Sequence, residues 1–197
     1  MLHPNSQSPS KNLDQLSIYL ATLNHIFHTI AVSETWATKI NCPFLQITGY
    51  NCLMKCHADH RDGGVALYIH DSPTYRDRYD FNAHANQNFE CVFDDLSHIS
   101  FGTKIVRAIY RTPKTDIDAF ITGFELLIDN VCNFKHEYLI ASDNNIDLLN
   151  LQHKSHNGSH LLVNAIYSNH MVPPITRPIR FTYNSSSLND NIFYKLS

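Results

Sequence analysis

EYLIASDNNIDLLN, residues 137–150, begins with the large apolar side chains Tyr138, Leu139 and Ile140 and ends in a polar knot of Ser142, Asp143, Asn144, Asn145 and Asp147. A short apolar run bounded by turn-forming residues reads as a buried strand. In α/β proteins, ligands bind just outside the carboxyl ends of such strands, so a carboxylate and an amide delivered there are candidates for chemistry. The plainer reading is a strand followed by an Asx-rich turn, because Asn and Asp side chains satisfy their own backbone. Polar stretches elsewhere that fit the same place favour the chemical reading.

Upstream, Thr115-Asp116-Ile117-Asp118 has the capping-box pattern, and Ile117, Phe120, Ile121, Phe124, Leu127, Ile128 and Val131 follow on one helical face. Before that helix, Asn88–Leu96 and Lys104–Tyr110 are β-prone with a turn at Gly102 between them. Tyr110 is either a half-buried sheet residue or a phenol at a strand end able to bond a phosphate oxygen. Arg111 beside it is a solvated surface arginine by default, and a planar donor for phosphate otherwise. Further back, Thr29–Ser33 repeats the switch seen at Asp143: a short β-prone run hands over the carboxylate of Glu34. Glu34 alone would also suit the start of a solvated loop.

Phe44–Thr48 and Gly63–His70 read as neighbouring strands. Between them Cys52, Cys56, His57 and His60 are zinc-type donors, but structural fingers hold their ligand pairs a dozen or more residues apart. This spacing is too tight, and the segment reads as a polar connecting loop. Nearer the start, Leu13, Leu16, Leu20, Leu23 and Phe27 form the stripe of an amphipathic helix, with Ser8 or Ser10 as its cap. After residue 150, His153–His160 reads as a connector, Leu161–Ile166 as a short helix, and Pro173, Pro174 and Pro178 as breakers of an irregular loop through Ser187. A strand is expected from Asp190.

The 197 residues are 43% hydrophobic, enough for one domain with a sizeable core. A formal net charge of -3 argues against affinity built on blanket phosphate neutralisation. Five scattered cysteines and no signal-like start point to reduced thiols in a nuclear or cytoplasmic setting rather than a secreted one. No apolar run approaches the roughly 20 residues that span a bilayer.

With these pieces in order, the sequence resembles the endonuclease domain of non-LTR (LINE-type) retrotransposons, a branch of the endonuclease/exonuclease/phosphatase superfamily. Its carriers are Asn5-x-x-Ser8, Ser33-Glu34-Thr35-Trp36, Gly49-Tyr50-Asn51, Gly63 to Ile69, Val106 to Pro113, Ser142 to Leu149, Pro178-x-Arg180-x-Thr182, and Leu188 to Phe193. The resemblance implies a four-layer α/β/β/α sandwich of two packed mixed sheets flanked by helices, with the active site at one end. It implies that Glu34 and Asn5 hold a divalent cation, magnesium or manganese. Asp143 would orient or deprotonate water, and Asn145 would bond the scissile phosphate. Tyr110, Thr182, Arg180 and Arg111 would lie on the phosphate side, with Asp190 at the edge. Such a domain acts on DNA as a monomer. The nick it leaves carries a 3′ hydroxyl that primes a reverse transcriptase held in cis in the parent element.

The sequence departs from that pattern in several places. The family's closing Ser-Asp-His motif is absent, and only Met1, Leu2, His3 and Pro4 stand where its first strand precedes Asn5. Both terminal strands are therefore expected to be missing in part or whole, leaving open edges, and nuclease activity is expected to be poor or absent. Ser142 stands for a glycine, Asn144 for an apolar residue and Thr112 for a proline. Two further functions compete: a non-catalytic remnant that binds nucleic acid weakly, and a phosphatase or lipid phosphodiesterase of the same superfamily.

Overall fold

The computed structural model describes residues 1–5, 9–55, 63–77, 88–132, 137–151 and 157–195. In chain order the elements are α1 (Pro9–Thr22), β1 (Thr29–Ser33), β2 (Tyr50–Met54), β3 (Val65–His70), β4 (Thr74–Asp77), β5 (Glu90–His98) and β6 (Gly102–Tyr110). Then follow α2 (Ile117–Cys132), β7 (Glu137–Asp143), α3 (Asn157–Ser168), β8 (Arg180–Phe181), β9 (Ser186–Ser187) and β10 (Asp190–Lys195). Among the described residues no helix is long and apolar enough to cross a membrane.

Side-chain alternation builds the layers. Along β3, Val65, Leu67 and Ile69 enter one apolar cluster with Val106, Ala108 and Ala141 of the other sheet. The intervening Ala66 and Tyr68 enter a second cluster, covered by Leu13, Leu16 and Leu20 of α1. On β6 and β7 the opposite faces, with Ile105, Ile109 and Ile140, pack under Phe120, Phe124, Leu127 and Ile128 of α2 and Leu162 and Ile166 of α3. The result is α1, a sheet of order β1-β3-β2, a sheet of order β10-β7-β6-β5-β4, and α2 with α3. This is the expected four-layer sandwich. Within the larger sheet β6 and β7 run parallel through the α2 crossover, and the other pairs are antiparallel.

Several sequence expectations need correction. α1 stops at Thr22, so Leu23 and Phe27 fall beyond it, although Phe27 still packs on the same cluster. Of the two serines expected to cap it, Ser10 lies inside the helix and Ser8 outside the described residues. No strand forms over Phe44–Thr48; Pro43 sits in a 3-10 turn at Cys42–Phe44, and the strand begins at Tyr50. At α2 the cap is Asp116, whose Oδ1 accepts from the Ala119 N–H at 2.9 Å, rather than Thr115. β4 was not anticipated because Thr74, Tyr75 and Arg76 are exposed and mostly polar, as suits a short edge strand. The expected irregular loop contains the small β8–β9 hairpin.

The amino end is also better ordered than expected. Leu2 and Asn5 bridge in parallel to Ile30 and Ser33, with Leu2 N donating to Thr29 O at 3.0 Å and Ala31 N to Leu2 O at 2.9 Å. The segment thus lies along β1 as an interrupted strand, and Pro4, which has no N–H, sits at the interruption.

Cys52 and Cys91 are free thiols, each pushed up to about 12 by burial, whereas Cys42 is disulfide-bonded. The expectation of reduced thiols throughout fails at Cys42, because spatial proximity of two cysteines cannot be read from their spacing in sequence. Cys56, His57 and His60 lie outside the described residues.

Candidate active site

Strand register gathers the site. Tyr110 on β6 and Asp190 on β10 are the Cα partners of Asp143 on β7, so three candidate residues stand in one row across adjacent strands. From the facing sheet, the end of β1 and the segment beside it bring Ser33 and Asn5 over the same row. Asn5 Nδ2 donates to Asp143 Oδ2 at 2.7 Å, and Ser33 Oγ donates to the same oxygen at 3.4 Å. Arg180 of β8 reaches both acids, with Nη2 3.4 Å from Asp143 Oδ2 and Nε 3.4 Å from Asp190 Oδ2.

Asp143 is 0% exposed, and burial with the neighbouring negative charge of Asp190 pushes its carboxyl up to about 8; Arg180 opposes the rise and Glu34 adds to it. Glu34 is therefore near enough for its charge to be felt at Asp143. Its backbone is strained, with φ +54, and Trp36 follows at φ +47. The Thr35 between them packs where a Cβ on Gly64 would lie 2.2 Å from Thr35 Oγ1, so only glycine fits at 64. Non-glycine residues held at positive φ cost on the order of 1–3 kcal/mol and concentrate at functional sites.

Behind the row, the loop after β7 is braced from β6. Arg111, expected on the phosphate, is instead 3% exposed and donates from Nε to Asn144 O at 2.7 Å, from Nη1 to Thr115 O at 2.6 Å and Thr112 O at 3.3 Å, and from Nη2 to Asn145 O at 3.1 Å. Four of its five N–H donors are committed to carbonyls, so it positions the loop and is not free for phosphate. Asn145, at φ +48, gives one amide hydrogen to Arg111 O at 2.7 Å and keeps the other. Asp147 caps backbone, accepting from Leu149 N at 3.1 Å and Leu188 N at 2.9 Å. Half of the polar knot is thus the Asx turn of the plainer reading, while Asp143 stands in the cluster of acids.

Tyr110 is 4% exposed and caps the inter-sheet cluster, with its ring against Gly63. Thr182 is not brought in: it is exposed, and its hydroxyl and the Ser185 backbone close the β8–β9 turn. Ser33 and His3 were missed. The signal for His3 was available, since residues two apart on an extended segment share a face, and Asn5 is two residues on. His3 Nδ1–H donates to Ala31 O at 3.0 Å; burial lowers its pKa, against upward pulls from the Ala31 and Ser142 backbone and from Asp190.

Beside the row opens a cavity of about 750 Å³ lined by His3, Asn5, Gln15, Tyr19, Arg180 and Asp190, among others. Among the described residues no three His, Cys, Asp or Glu side chains converge as a ready-made metal cluster. The site nonetheless fits a hard cation that keeps most of its waters. Asp143 and Asp190 share one half-exposed arginine, the charge of Glu34 is felt at Asp143, and Asn5 Oδ1 is a buried oxygen without a donor.

No family profile and no curated protein sequence matches the chain. Solved structures do. The endonuclease domain of TRAS1, a telomere-specific non-LTR retrotransposon, superposes with a TM-score of 0.73 at 11% identity, over 98% of this chain and 83% of that one. The Xenopus laevis APE2 catalytic domain gives 0.70 at 13% identity, over 98% and 81%. The 3′ phosphatase NExo from Neisseria, bound to a product DNA hairpin, gives 0.68 at 13% identity, over 98% and 85%. The chain has the DNase-like fold of the endonuclease/exonuclease/phosphatase proteins, as its sequence motifs led us to expect.

Proposed function

We propose that this chain is a divalent-cation-dependent phosphodiesterase acting on DNA, of retroelement type. The observation that carries the reading is the meeting of Asn5, Ser33, Arg180 and Asp190 on the one carboxylate of Asp143, with Glu34 alongside. Likeness to the TRAS1 endonuclease domain and the motif order Ser33–Trp36 and Val106–Pro113 support the retroelement assignment.

Glu34, Asn5 and Asp190 would hold the cation, magnesium or manganese. When bound, it supplies positive charge for the phosphate oxygens and the departing 3′ oxygen. The chain's own groups do the rest. Asp143 accepts a proton from the attacking water through Oδ1 or Oδ2, and Asn5 and Ser33 hold that carboxylate in one orientation. Proton acceptance requires the ionised form, which positive charge in the site favours over the protonated form that burial favours. The second amide hydrogen of Asn145 would donate to a phosphate oxygen, and Arg111 holds the loop that carries it. The nick would leave a 3′ hydroxyl suited to priming a reverse transcriptase in the parent element.

The test is relaxation of supercoiled plasmid with magnesium or manganese, with chelator and Glu34→Ala as controls. Cation-dependent nicks that a polymerase can extend, lost in Glu34→Ala, are expected. A second reading is favoured by Arg180, which already pairs with both carboxylates: a protein that binds DNA without cutting it. A salt-sensitive DNA mobility shift with no cation-dependent cleavage at any enzyme concentration would establish it in place of the first.

A further inference from the structure

The chain has one tryptophan, it stands two residues after Glu34, and no step above uses it. Trp36 holds φ +47, a conformation that a bulky side chain rarely adopts and that persists only where the surroundings impose it. Here they do. Thr35 N donates to Gly64 O at 3.2 Å and Trp36 N to Gly63 O at 2.8 Å, while Asn41 Nδ2 donates to Trp36 O at 3.3 Å. Asn41 is held in turn, because its Oδ1 accepts from Thr38 N at 2.6 Å. The backbone at Trp36 is thus clamped by the Gly63–Gly64 turn on one side and by the Thr38–Asn41 turn on the other. Thr35 and Ala37, the residues flanking it, are fully buried, whereas Glu34 and Trp36 keep part of their surface in water.

Packing does not account for this anchoring. A tryptophan kept for the core would sit in one of the apolar clusters; among the described residues this indole belongs to none of the three, and its N–H donates to no protein acceptor. Its place is beside the acids: two residues span at most about 7 Å, and the charge of Glu34 is felt at Asp143. We propose that Trp36 is a substrate-contacting residue, whose ring packs on the sugar and base of the nucleotide beside the phosphate at Asp143. Carboxylates and amides deal with the phosphate alone, whereas an aromatic face adds sequence-tolerant contact with the apolar surface that every nucleotide carries. A net charge of -3 offers little general attraction for phosphate, which leaves more of the affinity to contacts of this kind. A ring fixed in advance also loses little freedom when substrate arrives. The inference rests on the reading of this chain as acting on DNA and names a residue that grips the substrate.

Because there is one tryptophan, the intrinsic fluorescence of the full chain reports on this residue alone. A short mixed-sequence DNA duplex, added with chelator so that nothing is cut, should shift the emission and shield the ring from iodide. Two substitutions separate the ring from the backbone: Trp36→Gly removes the ring and relieves the positive φ, whereas Trp36→Phe keeps an aromatic face on the same strained backbone. Affinity for a labelled duplex should fall in the order parent, Trp36→Phe, Trp36→Gly, by roughly 10-fold or more for the glycine variant, with thermal melts showing that both are folded. In nicking assays the loss should fall on KM rather than kcat. Should Trp36→Gly not fold, Trp36→Phe and the shielding in the parent decide. Unchanged emission and iodide access at DNA concentrations that saturate nicking, or parental affinity in folded Trp36→Gly, would each overturn the assignment. Plasmid nicking on the same samples keeps the two claims apart. Cation-dependent nicking by a protein whose tryptophan does not respond to DNA removes Trp36 and leaves the phosphodiesterase standing; a tryptophan shielded by DNA that no cation allows the protein to cut does the reverse.

Discussion

At one end of the sandwich Asp143 and Asp190 meet beside His3 and Asn5, within reach of the charge of Glu34; at the other, His28 and His98 gather around Phe101, with ring centroids 5.0 to 5.2 Å apart, and His70 lies edge-on to Tyr50. Both ends are dense in titratable groups, and both terminate the same strands. Their hydrogen bonding differs. At the histidine end, Nδ1 of His70 and of His98 meets a serine two residues on, at 2.8 and 2.6 Å, and the rings are half in water. At the acidic end, acceptors are buried without donors, and Glu34 and Asn145 hold positive φ. Polar density alone therefore does not mark a site; buried polar atoms on a strained backbone make the acidic end the better candidate.

The largest contrast is in rate. Asp143→Asn should lower cation-dependent nicking by about 10² to 10⁴ while keeping the fold, because the amide replaces the proton-accepting oxygen at nearly equal volume. His98→Gln should leave the rate where it was. Initial rates of plasmid relaxation and a thermal melt of each variant check both, and an Asp143→Asn protein that nicks at the parent's rate would end the assignment of Asp143.

Next in size is the brace behind the site. Arg111→Ala leaves the carbonyls of Asn144, Asn145 and Thr115 without their donor and should destabilise the protein by about 3 kcal/mol or more in urea unfolding. Arg180→Ala, which removes a half-exposed ion pair, should change stability far less and act on activity instead. Equal destabilisation by the two would show that Arg111 is not the element holding the loop.

Much of this was legible in sequence and some was not, for physical reasons. Strands that are buried on both faces, such as β1 and β7, announce themselves as apolar runs, and α2 does so by its 3.6-residue stripe. β4 and the β8–β9 hairpin do not, because exposed edge strands carry polar side chains. At the site, the structure brings Asn5, Asp143 and Asp190 together, since each stands at a strand end, and the charge of Glu34 is felt at Asp143. Arg111 and Thr182 were misplaced because sequence gives residue type but not side-chain direction: one guanidinium turned inward to carbonyls, and one hydroxyl closed its own turn. His3 was overlooked because its spacing of two from Asn5 is informative only on an extended run, and the extension shows in the bridges of Leu2 to Ile30 and Asn5 to Ser33.

A pair of glycines sharpens the contrast in backbone strain. Gly64, at φ +90, would place a Cβ 2.2 Å from Thr35 Oγ1, whereas Gly102, at φ +69, has nothing within 4 Å. Both alanine variants lose the left-handed freedom of glycine, worth about 1 kcal/mol, and only Gly64→Ala also displaces the Thr35 segment that carries Glu34. We expect Gly64→Ala to be destabilised by about 2–3 kcal/mol and Gly102→Ala by about 1 kcal/mol. The former should lose activity out of proportion to its stability. Equal stability of the two would mean that Thr35 yields freely.

The last contrast is a matter of sign. In cation-free protein, burial and Asp190 raise the Asp143 carboxyl from 3.8 to about 8, so between those values the folded state holds a proton that the unfolded chain has released. Stability from this group is present in acid and is lost as pH rises toward 8. His28 works in the opposite sense. Partial burial and the neighbouring His98 and His70 lower it below 6.5, so the unfolded chain takes up a proton that the folded state refuses. That contribution is present above 6.5 and is lost as pH falls below it. Urea midpoints measured with chelator from about pH 5 to about pH 8.5 should therefore respond to Asp143→Asn at the alkaline end, by stabilisation, and to His28→Gln at the acid end, more weakly because the ring is half exposed. Added manganese should erase the Asp143 slope and leave the His28 slope alone, because the positive charge favours the carboxylate at one end of the molecule and does not reach the other.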